Sequence, residues 1–308
     1  RPQRIILTEE GASGQVRELL ARDEALGIQL ARLPRLSEFK HGVSDQLEIQ
    51  PIAVEDLLGR PQNVLDQSAM RRLIAGKKVL VTGAGGSIGG ELVRQIAAFD
   101  PAQMILLELS EFALYQIQRE IAGAFSALPL VPILCDVRNQ AHVNSSFETL
   151  SPQIVFHAAA IKHVPLSESN IEEAILTNVF GTANIAEAAI AARTEAMLMI
   201  STDKAVNPTN VMGASKRLAE SLCQALGESE KGEHKTKFIT VRFGNVLGSA
   251  GSVVPLFEEQ LAKGGPLTVT HPEMTRYFMT IREAVELVLQ AAALGAAWAT
   301  NFGGIQEK

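Results

Sequence analysis

The chain has 308 residues, 46% hydrophobic and 20% charged, enough for one full α/β domain with a sizeable core and a smaller appendage. A net charge of -6 gives no electrostatic reason to bind nucleic acid or an anionic membrane surface, both of which need concentrated basic surface. Cys135 and Cys223 lie far apart without CxxC spacing, which argues against a disulfide scaffold, and the six histidines lack metal-ligand spacing, so no metal is expected.

No secretory signal opens the chain, and no apolar run reads as long enough to cross a bilayer, so this fragment is expected to make no membrane contact. The chain begins at Arg1, and its first apolar stretch, Ile5-Ile6-Leu7, predicts a strand. A helical pattern covers residues 16–26, a further short strand is predicted at 30–33, and residues 52–60 read as a linker with one helical turn. Residues 1–66 therefore read as the back end of an α/β domain whose front is missing, plus a linker, with a small complete subdomain as the other reading.

From Lys77 onward short apolar runs alternate with amphipathic helical patterns. Residues 79–82, 104–107, 130–134, 154–156, 197–200 and 238–241 predict strands, and 91–98 and 171–192 have helical length and periodicity. Such alternation implies a doubly wound parallel sheet, a Rossmann fold over residues 67–308, with its ligand crevice at the carboxyl ends of the strands. The basic cluster at 231–237 is interrupted by Glu233 and reads as a solvated loop.

The first strand of that region runs into Thr82-Gly83-Ala84-Gly85-Gly86-Ser87-Ile88-Gly89, with a helix after it. Gly83 permits a tight turn, Gly86 lets backbone approach a diphosphate and Gly89 allows close helix packing, while the amides at Ser87 and Ile88 open the helix. Glu108 ends the second strand at the separation from which an acid reaches the adenosine ribose, and its charge would repel a 2'-phosphate, which favours NAD over NADP. Glu111 is a nearby competitor for that role, better suited to the first turn of the next helix.

Further along stand Ser201-Thr202-Asp203-Lys204 and then Met212-Gly213-Ala214-Ser215-Lys216. Lys216 sits one helical turn beyond Met212 on the same helix face. No YxxxK occurs anywhere, because Tyr115 and Tyr277 are followed four residues later by Arg119 and Ile281. Together with the glycine turn, Asp136-Val137, His157 to Lys162, Asn178 and the run from Val241 to Val246, these segments resemble the nucleotide-sugar 4,6-dehydratases of the extended short-chain dehydrogenase/reductase superfamily. They are most similar to the membrane-anchored UDP-N-acetylglucosamine 4,6-dehydratases of polysaccharide and glycan biosynthesis, in which Met replaces Tyr and Thr-Asp-Lys carries chemistry.

The resemblance covers nearly all of residues 1–294 and implies NAD as cofactor and a UDP-sugar as substrate. It also implies a homo-oligomer and a cytoplasmic domain whose parent is anchored in the inner membrane. On the site, it implies adenine contact by Asp136 and Val137, although a helix N-cap before 138–150 is an equally physical role for Asp136. It implies a small-residue bend at Ala158, Ala159 and Ala160 against the nicotinamide ribose, and Asn178 maintaining the active-site end of its helix at the cofactor. Lys216 would hold the nicotinamide ribose. The implied chemistry oxidises sugar C4, eliminates water across C5 and C6 and returns the hydride to C6, with Thr202 on the C4 oxygen, Asp203 as acid and Lys204 as the C5 base. Met212 is then apolar packing. Asn245, Arg276, Lys162 and His163 are implied substrate contacts, with an ion pair to Glu273 as the plain alternative for Arg276. The resemblance also implies a small C-terminal substrate lobe, mainly after residue 243 and incomplete, because residues 295–308 do not resemble the family, where a further strand and helices completing that lobe are expected. A 4-epimerase and a non-catalytic NAD-binding assembly module are the rival readings.

Overall fold

The computed structural model describes residues 4–7, 29–32, 50–51, 66–229, 236–249, 251, 253–269, 271, 273 and 277–301. Two compact units divide between Val64 and Leu65. In the first, β1 (Arg4–Leu7) and β2 (Gln29–Arg32) pair in parallel, and β3 (Gln50–Pro51) pairs antiparallel with β2. Pro51 lies on an edge strand, the place in a sheet that tolerates a residue without an N-H donor. The two predicted strands are found there, whereas the patterns at 16–26 and 52–60 lie outside the described residues.

In the second unit six parallel strands stand in the order β6-β5-β4-β7-β8-β9. They are β4 (Lys78–Thr82), β5 (Gln103–Glu108), β6 (Leu130–Leu134), β7 (Ile154–His157), β8 (Ala196–Thr202) and β9 (Lys237–Phe243). Successive strand side chains point to opposite faces, and the sequence uses both. Val79, Val81, Met104, Leu106, Phe156 and Leu198 join one core, which also holds residues of α1 (Gln67–Ile74), α2 (Ser87–Ala97), α3 (Glu111–Ala124) and α10 (Ile281–Asn301). Leu80, Ile105, Leu107, Val155, Met197 and Met199 join the other, with residues of α4 (Gln140–Leu150), α7 (Gly181–Ala191) and α8 (Val211–Ser229). This two-sided burial explains why the strands read as unbroken apolar runs.

Between β7 and α7 the chain forms α5 (Val164–Ser169), α6 (Ile171–Ile175) and one π turn, Leu176–Phe180. The stretch Ile171–Ala191 is long and apolar enough to cross a membrane by length and composition, which corrects the expectation that no run reaches that length. Here it is a core element, with Ala174, Thr182, Ile185, Ala186 and Ala189 buried, while Glu172, Glu173 and Glu187 lie on its exposed side.

Past β9, β10 (Asn245–Val246) pairs in parallel with β11 (Phe278–Met279), and α9 (Val253–Ala262) lies between them in the chain; none of the three was visible as a periodic pattern. The last helix runs on through Gly295 to Asn301. Gly295 lies inside α10, where an added Cβ would stand 2.7 Å from Ile239 Cδ1, so a small residue permits this close helix-to-strand approach.

One buried carboxylate ties β8, β9 and α8 together. Glu220 Oε1 accepts from Ser201 Oγ at 2.5 Å and from Arg242 Nε at 2.8 Å, while Oε2 accepts from Arg242 Nη2 and, at 3.2 Å, from Arg217 Nη1. Burial alone would raise its pKa, yet the bonds from Arg242, Ser201 and Arg217 outweigh that cost and hold it below the ordinary value. Ser201 therefore serves the scaffold. Replacing Glu220 by Ala should cost about 2–4 kcal/mol, because these donors lose their acceptor at a 5% exposed site. Urea unfolding measures this, and a loss under 1 kcal/mol would show that the cluster does not tie the layers.

Candidate active site

Strand order reverses between β4 and β7, which sets their carboxyl-terminal turns side by side. Gly83, at φ +62°, opens the first turn, and a Cβ there would stand 2.9 Å from both Ala159 N and Cα, so the two turns pack backbone against backbone. A Cβ on Gly89 would stand 1.9 Å from Gly83 O. Gly86 is the α2 N-cap and contributes no side-chain cap, so Ser87, Ile88 and Gly89 begin a helix whose amino end suits an anionic group.

Gly85 was not singled out from the sequence, though an extra glycine in the motif was the available signal. Its added Cβ would meet Ala113 Cβ at 2.5 Å, and its N-H donates to Glu108 Oε2 at 3.0 Å. Leu109 N and Ser110 N donate to Glu108 Oε1 at 2.9 and 3.1 Å, so three backbone amides aim this carboxylate at the glycine turn. Glu111 lies in the first turn of α3.

Asp136 is not a helix N-cap. Asn139 caps α4, accepting from His142 N at 3.1 Å. Asp136 instead accepts from Arg138 N at 2.9 Å, Nε at 2.8 Å and Nη2 at 2.6 Å, and the Arg138 side chain holds its carboxyl below the usual range despite partial burial. Arg138 also bonds Glu173 on α6. Val137 is buried, and its carbonyl accepts from Asn184 Nδ2 at 2.9 Å.

A buried run of hydrogen bonds joins the two turns to α8. Thr82 Oγ1 accepts from Ala158 N at 3.2 Å and Ala159 N at 3.1 Å, so its own proton goes to His157 Nδ1 at 2.7 Å. That fixes the tautomer. His157 Nε2-H then donates to Thr182 Oγ1 at 3.0 Å, and Thr182 donates to Asn178 O at 2.7 Å. Asn178 accepts from Ile161 N at 2.9 Å and spends both amide hydrogens at 3.0 Å, on Ile161 O and Ser215 Oγ. Its amide is committed to positioning the Ala160–Ile161 backbone and α8.

Thr202 is the last residue of β8, and Asp203–Ala205 forms a 3-10 turn. Thr202 Oγ1 donates to Asp203 Oδ1 at 2.9 Å, and Lys204 Nζ reaches the same oxygen at 3.1 Å and Asn245 Oδ1 at 3.1 Å. The half-exposed Asp203 and one-third-exposed Lys204 side chains are open to a ligand. Asn210 Oδ1 accepts from Gly213 N at 2.8 Å and Glu168 Oε1 from Val211 N at 2.8 Å, fixing the amino end of α8. Nothing in the sequence pattern singled out Glu168. A Cβ on Gly213 would stand 2.2 Å from Lys204 O, so this glycine lets the helix rest on the Asp203–Ala205 turn. Met212 and Lys216 are both buried, and burial lowers the Lys216 pKa to about 8 against the opposing pull of Cys223 and Glu220.

The sequence-predicted residues thus fall into a dinucleotide-type cradle and a polar cluster at the end of β8. Lys162 is exposed overall, yet the protein around its ammonium lowers its pKa by desolvation. His163 packs under Gly251 at φ +68°, where a Cβ would stand 2.3 Å from its Cε1. Arg276 lies outside the described residues. Among the described residues no group of three His, Cys, Asp or Glu side chains could hold a metal ion.

Sheet order, glycine turn and crevice define a short-chain dehydrogenase-type Rossmann protein. The chain belongs to the polysaccharide biosynthesis protein family, whose model matches residues 79–299. It is 49% identical over 269 residues to the capsular polysaccharide biosynthesis protein CapD of Staphylococcus aureus, covering 87% of this chain and 44% of that protein. The chain thus spans less than half of that relative's length. A UDP-glucose 4-epimerase of Rickettsia canadensis is 38% identical over 219 residues, 70% of this chain and 62% of the relative. Among solved structures, Pen from Bacillus thuringiensis superposes with a TM-score of 0.66 at 37% identity, covering 71% of this chain and 68% of that one.

Burial, and next the charge of Lys216, press the His157 pKa from 6.5 down to about 3, so the imidazole is neutral in the folded protein. The unfolded chain takes up a proton below pH 6.5, so this group's stabilisation is present above pH 6.5 and is lost as pH falls toward 3, at up to about 1.4 kcal/mol per pH unit. Asn at 157 keeps an acceptor near the Nδ1 position and has no such titration. Between pH 6.5 and 4.5 urea unfolding should show the unaltered protein losing about 2–3 kcal/mol more than His157→Asn; equal losses would contradict the buried neutral imidazole.

Proposed function

We propose that this chain is the catalytic part of a nucleotide-sugar 4,6-dehydratase that converts UDP-N-acetylglucosamine to a UDP-4-keto-6-deoxy sugar. The observation that carries the reading is the Thr202, Asp203 and Lys204 cluster at the end of β8, beside a buried Met212 where a tyrosine would otherwise stand. NAD, when bound, supplies the acceptor for the C4 hydride and its donor to C6. Gly83, Gly86, Ser87, Ile88 and Gly89 would hold its diphosphate, Glu108 its adenosine ribose, Asp136 and Val137 its adenine, and Ala158, Ala159, Ala160 and Lys216 the nicotinamide ribose. Three backbone donors fill most of the roughly four acceptor positions of Glu108, leaving one for a ribose hydroxyl and none that welcomes a 2'-phosphate.

On the sugar, Thr202 holds the C4 oxygen and Asp203 accepts the C4 hydroxyl proton. The resulting 4-ketone acidifies the C5 hydrogen, Lys204 takes that proton, and Asp203 returns one to the departing C6 hydroxyl, which leaves as water; when C6 of the resulting 5,6-ene regains hydride, Lys204 gives its proton back to C5. Lys162, His163 and Arg276 are the proposed substrate contacts. The domain works in the cytoplasm as a homo-oligomer, with a membrane anchor in its parent chain. Likeness to a UDP-glucose 4-epimerase favours 4-epimerisation as the second reading, and the missing tyrosine argues against it.

Asp203→Asn and Lys204→Ala should each lower turnover by about 10²- to 10⁴-fold, equivalent to roughly 3–5 kcal/mol of barrier, with NAD binding largely kept. Met212→Leu should cost less than about 1.5 kcal/mol, since packing is its only task. Product NMR with UDP-N-acetylglucosamine, followed by kinetics of the three variants, tests this. A 4-epimer as product, or severe loss in Met212→Leu with near-normal Asp203 and Lys204 variants, would overturn the reading.

A further inference from the structure

The β10 and β11 pair brings chain from beyond the main sheet to the carboxyl end of β8. Asn245 N donates to Tyr277 O at 3.3 Å and Leu247 N to Met279 O at 2.8 Å, which fixes the strand on either side of the Asn245 side chain. Gly244 precedes it, and a Cβ there would stand 3.4 Å from Tyr277 O and 3.7 Å from Asp203 Oδ2, so Asp203 lies against this backbone. Asn245 Oδ1 then receives Lys204 Nζ at 3.1 Å, opposite the 3.1 Å contact to Asp203 Oδ1.

A tetrahedral amine has four directions. In Lys204 one is Cε, and the carboxylate and the amide oxygen take two N-H directions. The fourth direction alone is left for a proton that comes and goes, and the lone pair of the neutral amine points the same way. We infer that Asn245 is a positioning residue: with Asp203 it aims the exchangeable proton of Lys204 at the substrate. An amide suits this task because it accepts an N-H bond from both forms of the amine without adding charge. A second carboxylate in its place would bind the ammonium and retain its proton.

This inference rests on Lys204 being the C5 base, so its test includes a readout that needs no turnover. Labelling of Lys204 by an amine-selective acylating reagent between pH 6 and 10, read by mass spectrometry on the 308-residue chain, reports the pH at which the amine becomes nucleophilic. Asn245→Asp, an isosteric change, should move that midpoint and the rising limb of the kcat profile upward by about one pH unit. Asn245→Ala should lower kcat by about 10- to 100-fold with KM changed less than threefold. Asn245→Asp leaving both midpoints in place, or Asn245→Ala raising KM alone, would overturn the inference and return Asn245 to a plain substrate contact. A shifted labelling midpoint in a protein that forms no 4-keto-6-deoxy sugar would uphold the positioning and sink the dehydratase reading instead.

Discussion

Thr82 accepts two amide protons from the turn after β7 and gives its own to His157, whose imidazole passes the direction of donation on to Thr182 and Asn178. The backbone turns at the heart of the site lean on this run. It joins the glycine turn, the Ala158 to Ala160 bend and the helix bearing Met212 and Lys216 through groups that are almost wholly buried. A buried hydrogen bond stabilises by only about 1 kcal/mol net, yet leaving one partner unsatisfied costs about 1–3 kcal/mol. The run is therefore nearly all-or-none. It also depends on a neutral imidazole, which burial and the nearby Lys216 charge enforce.

That rigidity bears on a site without a catalytic tyrosine. Met212 is buried and has no proton to exchange, so in the proposed dehydratase proton transfer falls to the turn that follows β8. Gly213 lets α8 rest on Lys204 O, and Asn210 and Glu168 cap the same helix end. The polar cluster thus stands on the scaffold that orders the dinucleotide cradle, which is how a few side chains on a short turn can be held to catalytic tolerance.

Much of this was legible in the sequence, for identifiable reasons. Strands buried on both faces leave apolar runs, and all six central strands were predicted within one or two residues. Gly83 and Gly89 were readable because a Cβ at either would strike backbone. The pairing of β10 with β11 was not legible, since two-residue strands carry no periodicity, and with it the Asn245 contact to Lys204 stayed hidden. The π turn at Leu176–Phe180 and the cap by Glu168 depend on contacts between distant segments, which local patterns do not encode. Asp136 was ambiguous because both of its readings use the same carboxylate, and the cap by Asn139 removes the N-cap reading.

The central proposal is an internal redox cycle in which the hydrogen removed from C4 returns to C6. UDP-N-acetylglucosamine deuterated at C4 tests it directly, by NMR and mass spectrometry of the product. The account predicts a single deuterium in the C6 methyl group beside a C4 ketone. Deuterium restored to C4 of a 4-epimer, or lost to solvent, would contradict it.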